Sequence, residues 1–431
     1  MSLLRQYGQH VLGSFRHRIG ESNFFKYYLI PRARIKQYWN VRRIRRLGKA
    51  KIVFLVSSLS MWRFQQLYDL LRKDTRFETI IAIHPFPGSV EVQNKDIESL
   101  LNHFTKLGIS VLNLFGKDAP GKYLRESVNP DLIFFPQQYD NLFCNDLDHQ
   151  FFSDKLIAYI PYAMVIFREA WLDRNSLNEI AWRLFFSSKA RKQQAVEVQF
   201  NGGKNIRATG DPAVDLFSSS VDHSEWKKQS LTKKRVIWAP HFSLQESDIL
   251  HHNAFLWLYD AMLKIANKYK DTVQFSFKPH PRLLKSLYEM PGWGKEKAEE
   301  YYKTWEKGDN TQLDTGAYID LFKQSDALIH NCGSFTAEYL FTGNPVLYTS
   351  AKIDSVYDSL NDFGKEALDA HYFADSVAGI IDFIENTVLG GEDPKKPERE
   401  SFFLKYLCPP DGYSASENIY KEILKGLGFE Q

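Results

Sequence analysis

Three short stretches place anion-binding groups directly after runs of apolar residues. Ala239-Pro240-His241-Phe242-Ser243 follows RVIW, Lys278-Pro279-His280-Pro281-Arg282 follows VQFSF, and Asn331-Cys332-Gly333-Ser334 follows SDALIH. The prolines on either side of His280 fix φ at about −65° and stiffen the loop. A rigid imidazole between Lys278 and Arg282 suits hydrogen bonding to phosphate oxygens and support of charge on a departing phosphate. Gly333 lets the backbone approach a ligand at the start of a helix, where free N–H groups and a partial positive charge favour an anion. Ser334 is expected either to cap that helix or to give its hydroxyl to a phosphate, with Thr336 in the first turn as a further hydroxyl. Glu338 lies about one turn beyond Ser334, where a carboxylate suits ribose hydroxyls or complements the helix dipole. Cys332 reads as a small apolar filler. Together the three loops describe a nucleotide-diphosphate site. Neither GxxxxGK[ST] nor GxGxxG after the first strand is present.

The elements that position these loops follow from the apolar pattern. From Lys51 onward short strand-like runs (KIVFLV, FETIIAI, ISVLNLF, DLIFF, KLIAYI) alternate with helical stretches, which argues for parallel strands in βαβ units. The reading also places a helix over 176–186 and a strand at AVEVQF. The polar stretch Ser218–Lys234 reads as a linker, followed by a second α/β set that carries all three loops. In open α/β sheets, ligands bind at loops leaving the carboxyl ends of strands. The expected division is 1–50, a basic amphipathic arm; 51–217, an N-terminal Rossmann-like domain; 235–400, a C-terminal Rossmann-like nucleotide domain; and 401–431, a final helix crossing back to the first.

Composition agrees with two globular cores. The 431 residues are 44% hydrophobic and 15% aromatic, which excludes disordered, collagen-like and disulfide-scaffold classes. Cys144, Cys332 and Cys408 show no CxxC spacing, so no zinc site or disulfide framework is expected and a reducing compartment fits. No apolar run reaches the length of about 18 residues that spans a membrane. Residues 1–51 carry thirteen Lys or Arg against Glu21, a net +12, which leaves −9 for the rest of a chain of net +3. Aromatic and aliphatic residues interleave with these cations, a pattern suited to an anionic membrane surface and also to a solvated basic tail.

The motifs PHFS, KPHP, SDALIHNCGSFTAEYLFTGNPVLY and PPDGYSASENIYKEIL occur in this order, and with SMWRFQQLYDLLRKDTRFETIIAI, NPDLIFFPQQYDNL and KLIAYIPYAMV the chain resembles the CDP-glycerol glycerophosphotransferase family over roughly residues 50–425. The likeness is to the teichoic-acid polymerase and capsule-biosynthesis branches. It implies a GT-B architecture of two Rossmann-like domains facing each other across a cleft. The implied reaction moves glycerol phosphate, or another alditol phosphate, from a CDP-alditol to a hydroxyl of a lipid-linked or polymeric envelope glycan, releasing CMP without an obligatory metal or cofactor. His280 would sit on the diphosphate, Ser334 would cap it, His241 would line the donor pocket, and Asp411 with Gly412 would match an Asp-Gly element near the C-terminus.

At Asn331 the family commonly carries aspartate, and the His-Gly-Thr element of the polymerase branch is absent. For a general base, the strand-end residues His84 and Asp140 are candidates. Two other functions fit the same nucleotide end: a GT-B glycosyltransferase using a nucleotide sugar, and a non-catalytic binding or assembly subunit. The expected setting is cytoplasmic, on the inner face of the cell membrane through residues 1–46, with no nucleic-acid partner.

Overall fold

The computed structural model describes residues 21–84, 90–138, 146–168, 173–221, 223–245 and 254–429. The chain divides into two compact units, 1–162 with 169–215 and 408–431, and 163–168 with 216–407.

Unit 1 contains a parallel sheet of seven strands: β1 Ala50–Val56, β2 Phe77–Ile83, β3 Val111–Asn113, β4 Leu132–Phe135, β5 Leu156–Tyr159, β6 Arg183–Phe186 and β7 Ile206–Ala208, in the order β3-β2-β1-β4-β5-β6-β7. Both faces of β1 are covered, which explains its unbroken apolar run. Ile52, Phe54 and Val56 pack in one cluster with Trp62, Phe134 and the C-terminal Ile419 and Ile423, while Val53 and Leu55 pack in the opposite one with Ile133 and Phe152. The alternation within a single strand is the two-residue period of a pleated sheet.

The helix Ile30–Leu47 lies on this unit: Gln37 donates to the Ile180 carbonyl at 2.6 Å, Arg43 pairs with Asp131, and Ile44 is fully buried. Part of the basic segment is therefore built into the unit. Residues 1–20 of that segment lie outside the described residues. Among the described residues no helix is long and apolar enough to cross a membrane.

The C-terminal helix Ala415–Leu427 also belongs to unit 1. Ser414 and Glu417 form its capping box, and Asp215 accepts from the Ala415 and Ser416 N–H groups at 2.9 and 2.7 Å. These contacts satisfy helix donors that have no partner within the helix. Asp411 and Gly412 form a left-handed turn, with φ of 64° and 72°, just before it.

Two local expectations fail here. Residues 176–186 form the short helix Ser176–Ile180 and then β6. In AVEVQF, residues 195–198 end the helix Lys189–Val198 and Gln199 and Phe200 follow it, so no strand forms there: Ser188 Oγ caps the helix by accepting from Arg191 N–H, and Arg191 and Ala195 supply its buried side. The β-branched residues there gave the pattern of a strand, but the cap at Ser188 and the packing decide for helix.

Unit 2 contains six parallel strands, β8 Lys234–Ala239, β9 Val273–Phe277, β10 Thr311–Leu313, β11 Ala327–His330, β12 Val346–Thr349 and β13 Tyr372–Ala374, in the order β10-β9-β8-β11-β12-β13. Trp238 stacks between Phe255 and Phe277, with Trp305 at 5.4 Å, and anchors one face of the sheet. The stretch Ser218–Lys234, read as a linker, packs on this unit instead: Trp226 is buried, and Gln312 accepts from Lys227 N–H and donates to the Glu225 carbonyl.

Candidate nucleotide site

The strand order of unit 2 reverses between β8 and β11, which register Ala239 beside His330. The loops after β8 and β11 therefore leave on either side of a topological switch point, and the loop after β9 leaves next to them. This is the position where open α/β sheets bind ligands.

Hydrogen bonds knit the three loops together. His241 N–H donates to Asn331 Oδ1 at 2.8 Å, and His280 N–H donates to the Pro240 carbonyl at 3.0 Å. His241 and His280 ring centres are 5.1 Å apart, with Phe242 4.6 Å from His280 and the Arg282 guanidinium 4.1 Å above the Phe242 ring. His280 Nδ1 accepts from Arg282 N–H, and His241 Nδ1 accepts from Ser243 N–H. His280 thus carries its proton on Nε2 and is a hydrogen-bond donor, while His241 Nδ1 also meets the Ser243 hydroxyl at 2.8 Å.

Burial first, then His280 and Arg282, pushes His241 down to about 3, and burial with Arg282 and Lys278 pushes His280 down to about 4. Both imidazoles are neutral at neutral pH, crowded by cations, and an incoming anion would relieve that crowding.

The remaining residues sit as follows. Lys278 is buried, donates to the Gly316 carbonyl at 2.7 Å, and is lowered by burial to about 8 against the opposing pull of Asp314. Asn331 is 1% exposed, and its Nδ2 has no hydrogen-bond partner among the described residues. Gly333 packs under Phe167, where a Cβ would lie 2.9 Å from the ring edge. Ser334 precedes the helix Phe335–Glu338 but has helical φ/ψ and makes no side-chain cap, so of its two expected roles the capping one is excluded.

Thr336 returns its hydroxyl to the Cys332 carbonyl at 3.1 Å. Glu338 is buried and accepts from the Tyr318 hydroxyl, which places its carboxylate in the packing under the helix. Cys332 is buried, its thiol pushed up to about 12, in keeping with a filler. His84 ends β2 in unit 1, half-buried, its N–H on the Val56 carbonyl. Asp140 lies outside the described residues.

The structure thus joins His241, His280, Arg282 and Asn331 by direct contact and ties Lys278, Thr336 and Glu338 into the supporting backbone and side chains. Sequence reasoning missed Phe242 as the platform under Arg282, although it stands inside the quoted motif. It also missed Phe167, which reaches Gly333 from 166 positions away, and no local signal announces it.

No family model and no curated protein sequence matches the chain. Solved structures do match along nearly its whole length. Wall teichoic acid polymerase TagF is 11% identical, with TM-score 0.56, covering 99% of this chain and 98% of that one. The Staphylococcus aureus MnaA–UDP co-structure is 14% identical, with TM-score 0.58 and coverage of 88% and 98%. UDP-GlcNAc 2-epimerase from Neisseria meningitidis, bound to UDP-GlcNAc, is 14% identical, with TM-score 0.52 and coverage of 88% and 100%. The resemblance read from the motifs has its counterpart in the fold: the chain has the α/β fold, with two parallel sheets, of the GT-B enzymes that include a teichoic acid polymerase and UDP-GlcNAc 2-epimerases.

Proposed function

We propose that the carboxyl-edge loops of unit 2 hold the diphosphate of a nucleotide-activated donor, and that the protein transfers an alditol phosphate from a CDP-alditol to a hydroxyl of an envelope or capsule glycan. The observation that carries this reading is the Asn331–His241 bond across the switch point of a sheet in Rossmann order, with Asn331 Nδ2 buried and, among the described residues, unpartnered in a loop tied to His241 and His280. A buried amide without a partner costs on the order of 1–3 kcal/mol, which a phosphate oxygen would recover.

In the proposed reaction the acceptor oxygen attacks the alditol-bearing phosphorus. The P–O bond to CMP breaks, CMP departs with the electron pair, and the hydroxyl proton passes to a base. His280, His241 and Arg282 would orient the diphosphate and neutralise charge developing on CMP. His84 and Asp140 remain the proposed bases, and Ser334 a proposed phosphate ligand through its hydroxyl. No metal or further cofactor is included in this reading.

The proposed setting is an anionic membrane surface contacted by the basic N-terminal segment. On the helix Ile30–Leu47, Ile35 and Trp39 are each 62% exposed and Arg42 and Arg46 continue the same face at helical spacing.

A second reading, glycosyl transfer from a nucleotide sugar, is favoured by the fold shared with structures holding UDP or UDP-GlcNAc. Incubation with CDP-glycerol, CDP-ribitol and UDP-sugars, with assay of released CMP, UMP and UDP, separates the two. CMP release that depends on an acceptor and is lost in His280→Ala is expected. Release of UDP alone would replace the first reading with the second, and nucleotide binding without turnover would leave a binding subunit.

A further inference from the structure

Unit 1 contains a cavity of about 690 Å³ that the donor site does not use. It lies between the helix Ile30–Leu47 and the segments around Trp182 and Phe200. Four cations line it, Lys26, Arg34, Arg183 and Lys204, and no aspartate or glutamate does.

The two arginines are incompletely satisfied. Arg34 places Nη1 on Gln37 and on the Ala181 carbonyl, while its Nη2 is buried with no hydrogen-bond partner among the described residues. Arg183 lies 4.5 Å above the Trp182 ring with Nη1 on the Trp182 carbonyl, while its Nε is buried with no hydrogen-bond partner among the described residues. Glu179 and Glu422 oppose the effect of burial on Arg34 and Arg183, but the hydrogen bonds they accept come from other groups. Glu179 is fully buried, and its oxygens accept from the N–H groups of Phe200 and Asn201. Arg207 is paired with Glu422.

Burial, and then the repulsion of Arg207, pulls Arg183 down to about 10, and burial likewise lowers Arg34. Two half-buried guanidinium groups near each other, with two lysines lining the same pocket, favour an anion there.

We infer that this cavity is a phosphate-binding site, in which Arg34 and Arg183 grip a phosphate or diphosphate group and Lys26 and Lys204 guard its mouth. Four cations line the pocket, with Glu179 acting on Arg34 and Glu422 on Arg183 from outside its lining, and a phosphate monoester or diphosphate supplies the charge that remains to be matched. Ile30, Pro31 and Val41 add an apolar wall, so the phosphate can come from a lipid headgroup as well as from a soluble compound. The inference is independent of the donor reading, because its residues all belong to unit 1.

The test is arginine footprinting of the full chain with phenylglyoxal, read by peptide mass spectrometry, in the presence of inorganic pyrophosphate or of phosphatidylcholine vesicles containing phosphatidic acid. Protection of Arg34 and Arg183 with the exposed Arg72 still labelled is expected. Protection by vesicles alone assigns a lipid headgroup, and protection by pyrophosphate alone a soluble phosphate. By calorimetry, Arg34→Gln with Arg183→Gln should weaken the protecting ligand by about tenfold or more, whereas His280→Ala should leave this component in place. Lys204→Gln, at an exposed position that does not threaten folding, should weaken it about two- to threefold. Unprotected arginines with both probes would overturn the inference, as would affinity unchanged in the double variant and in Lys204→Gln.

Discussion

Asn331 Oδ1 accepts the His241 backbone N–H at 2.8 Å, and its Nδ2 is buried without a hydrogen-bond partner among the described residues. Asn331→Leu, close in size, removes both the acceptor for His241 and the spare donor. Affinity for CDP-glycerol is expected to fall about tenfold or more, because the tie between the loops and a donated hydrogen bond are lost together. Calorimetry decides; equal or tighter binding would show that Nδ2 does not face the ligand.

The histidine pair sets a pH dependence. With His241 at about 3 and His280 at about 4 in the free protein, both are neutral through the physiological range. A bound diphosphate raises both, so binding takes up protons and affinity rises as pH falls. The gain approaches about tenfold per pH unit for each group once pH is below its bound-state value. CDP-glycerol is the right probe, because its diphosphate diester does not titrate between about pH 5 and 8. Affinity that is flat over that range would remove the imidazoles from the diphosphate.

The apolar strands and the three loops were legible because parallel strands covered on both faces leave continuous hydrophobic runs, and the ligand-binding edge follows from where those runs stop. What the sequence left hidden depends on distant partners. The Tyr318 hydroxyl that Glu338 accepts from lies 20 positions upstream, and Thr336 looks like a spare hydroxyl until it turns back to Cys332. Ser334 has the residue type of a cap, but its φ/ψ is already helical. AVEVQF carries β propensity that the cap at Ser188 overrides. Nothing near Gly333 reveals that Phe167 will lie against it.

Gly364 tests that hidden packing. It follows the N-cap Asn361 in the helix Asp362–Asp369, and a Cβ there would come within 2.3 Å of the Ile166 carbonyl oxygen. Replacing glycine by alanine inside an ordinary helix gains up to about 1 kcal/mol. Here Gly364→Ala should instead destabilise unit 2 by about 2 kcal/mol, because Asn361 also holds the Val165 and Phe167 carbonyls and the segment cannot easily withdraw. A stabilised variant in denaturant unfolding would show that 163–168 is free to move.

Unit 2 should also be acid-sensitive. His330 and His371 are fully buried, with ring centres 5.3 Å apart, and burial holds His371 at about 3 and His330 well below its ordinary value. Folded values below the unfolded one of about 6.5 mean that the unfolded chain binds more protons at acid pH. Their stabilising contribution is therefore complete above about pH 6.5 and is lost as pH falls towards the folded values. Each neutral buried histidine loses roughly 2 kcal/mol by pH 5, with little change between pH 7 and 8. Unfolding of the wild type against His371→Gln at both ends of that range measures it; equal acid sensitivity in the two would exclude His371 as a source.

The membrane proposal is best tested without deleting the helix, since Gln37, Arg43 and Ile44 hold it in unit 1. Trp39→Ser with Arg42→Glu changes only exposed positions, where Arg42 lies 5.9 Å from the Trp39 ring. The loss of an interfacial aromatic and the reversal of a cation should weaken sedimentation with phosphatidylglycerol vesicles by about tenfold or more, at roughly 1 kcal/mol for each charge near an anionic surface. High salt should reduce wild-type binding through screening, and the variant should retain less of it to lose. Nucleotide binding serves as the control, because the substituted residues belong to unit 1 and the donor loops to unit 2. Vesicle binding that survives both substitutions and high salt would assign this face of the helix to solvent.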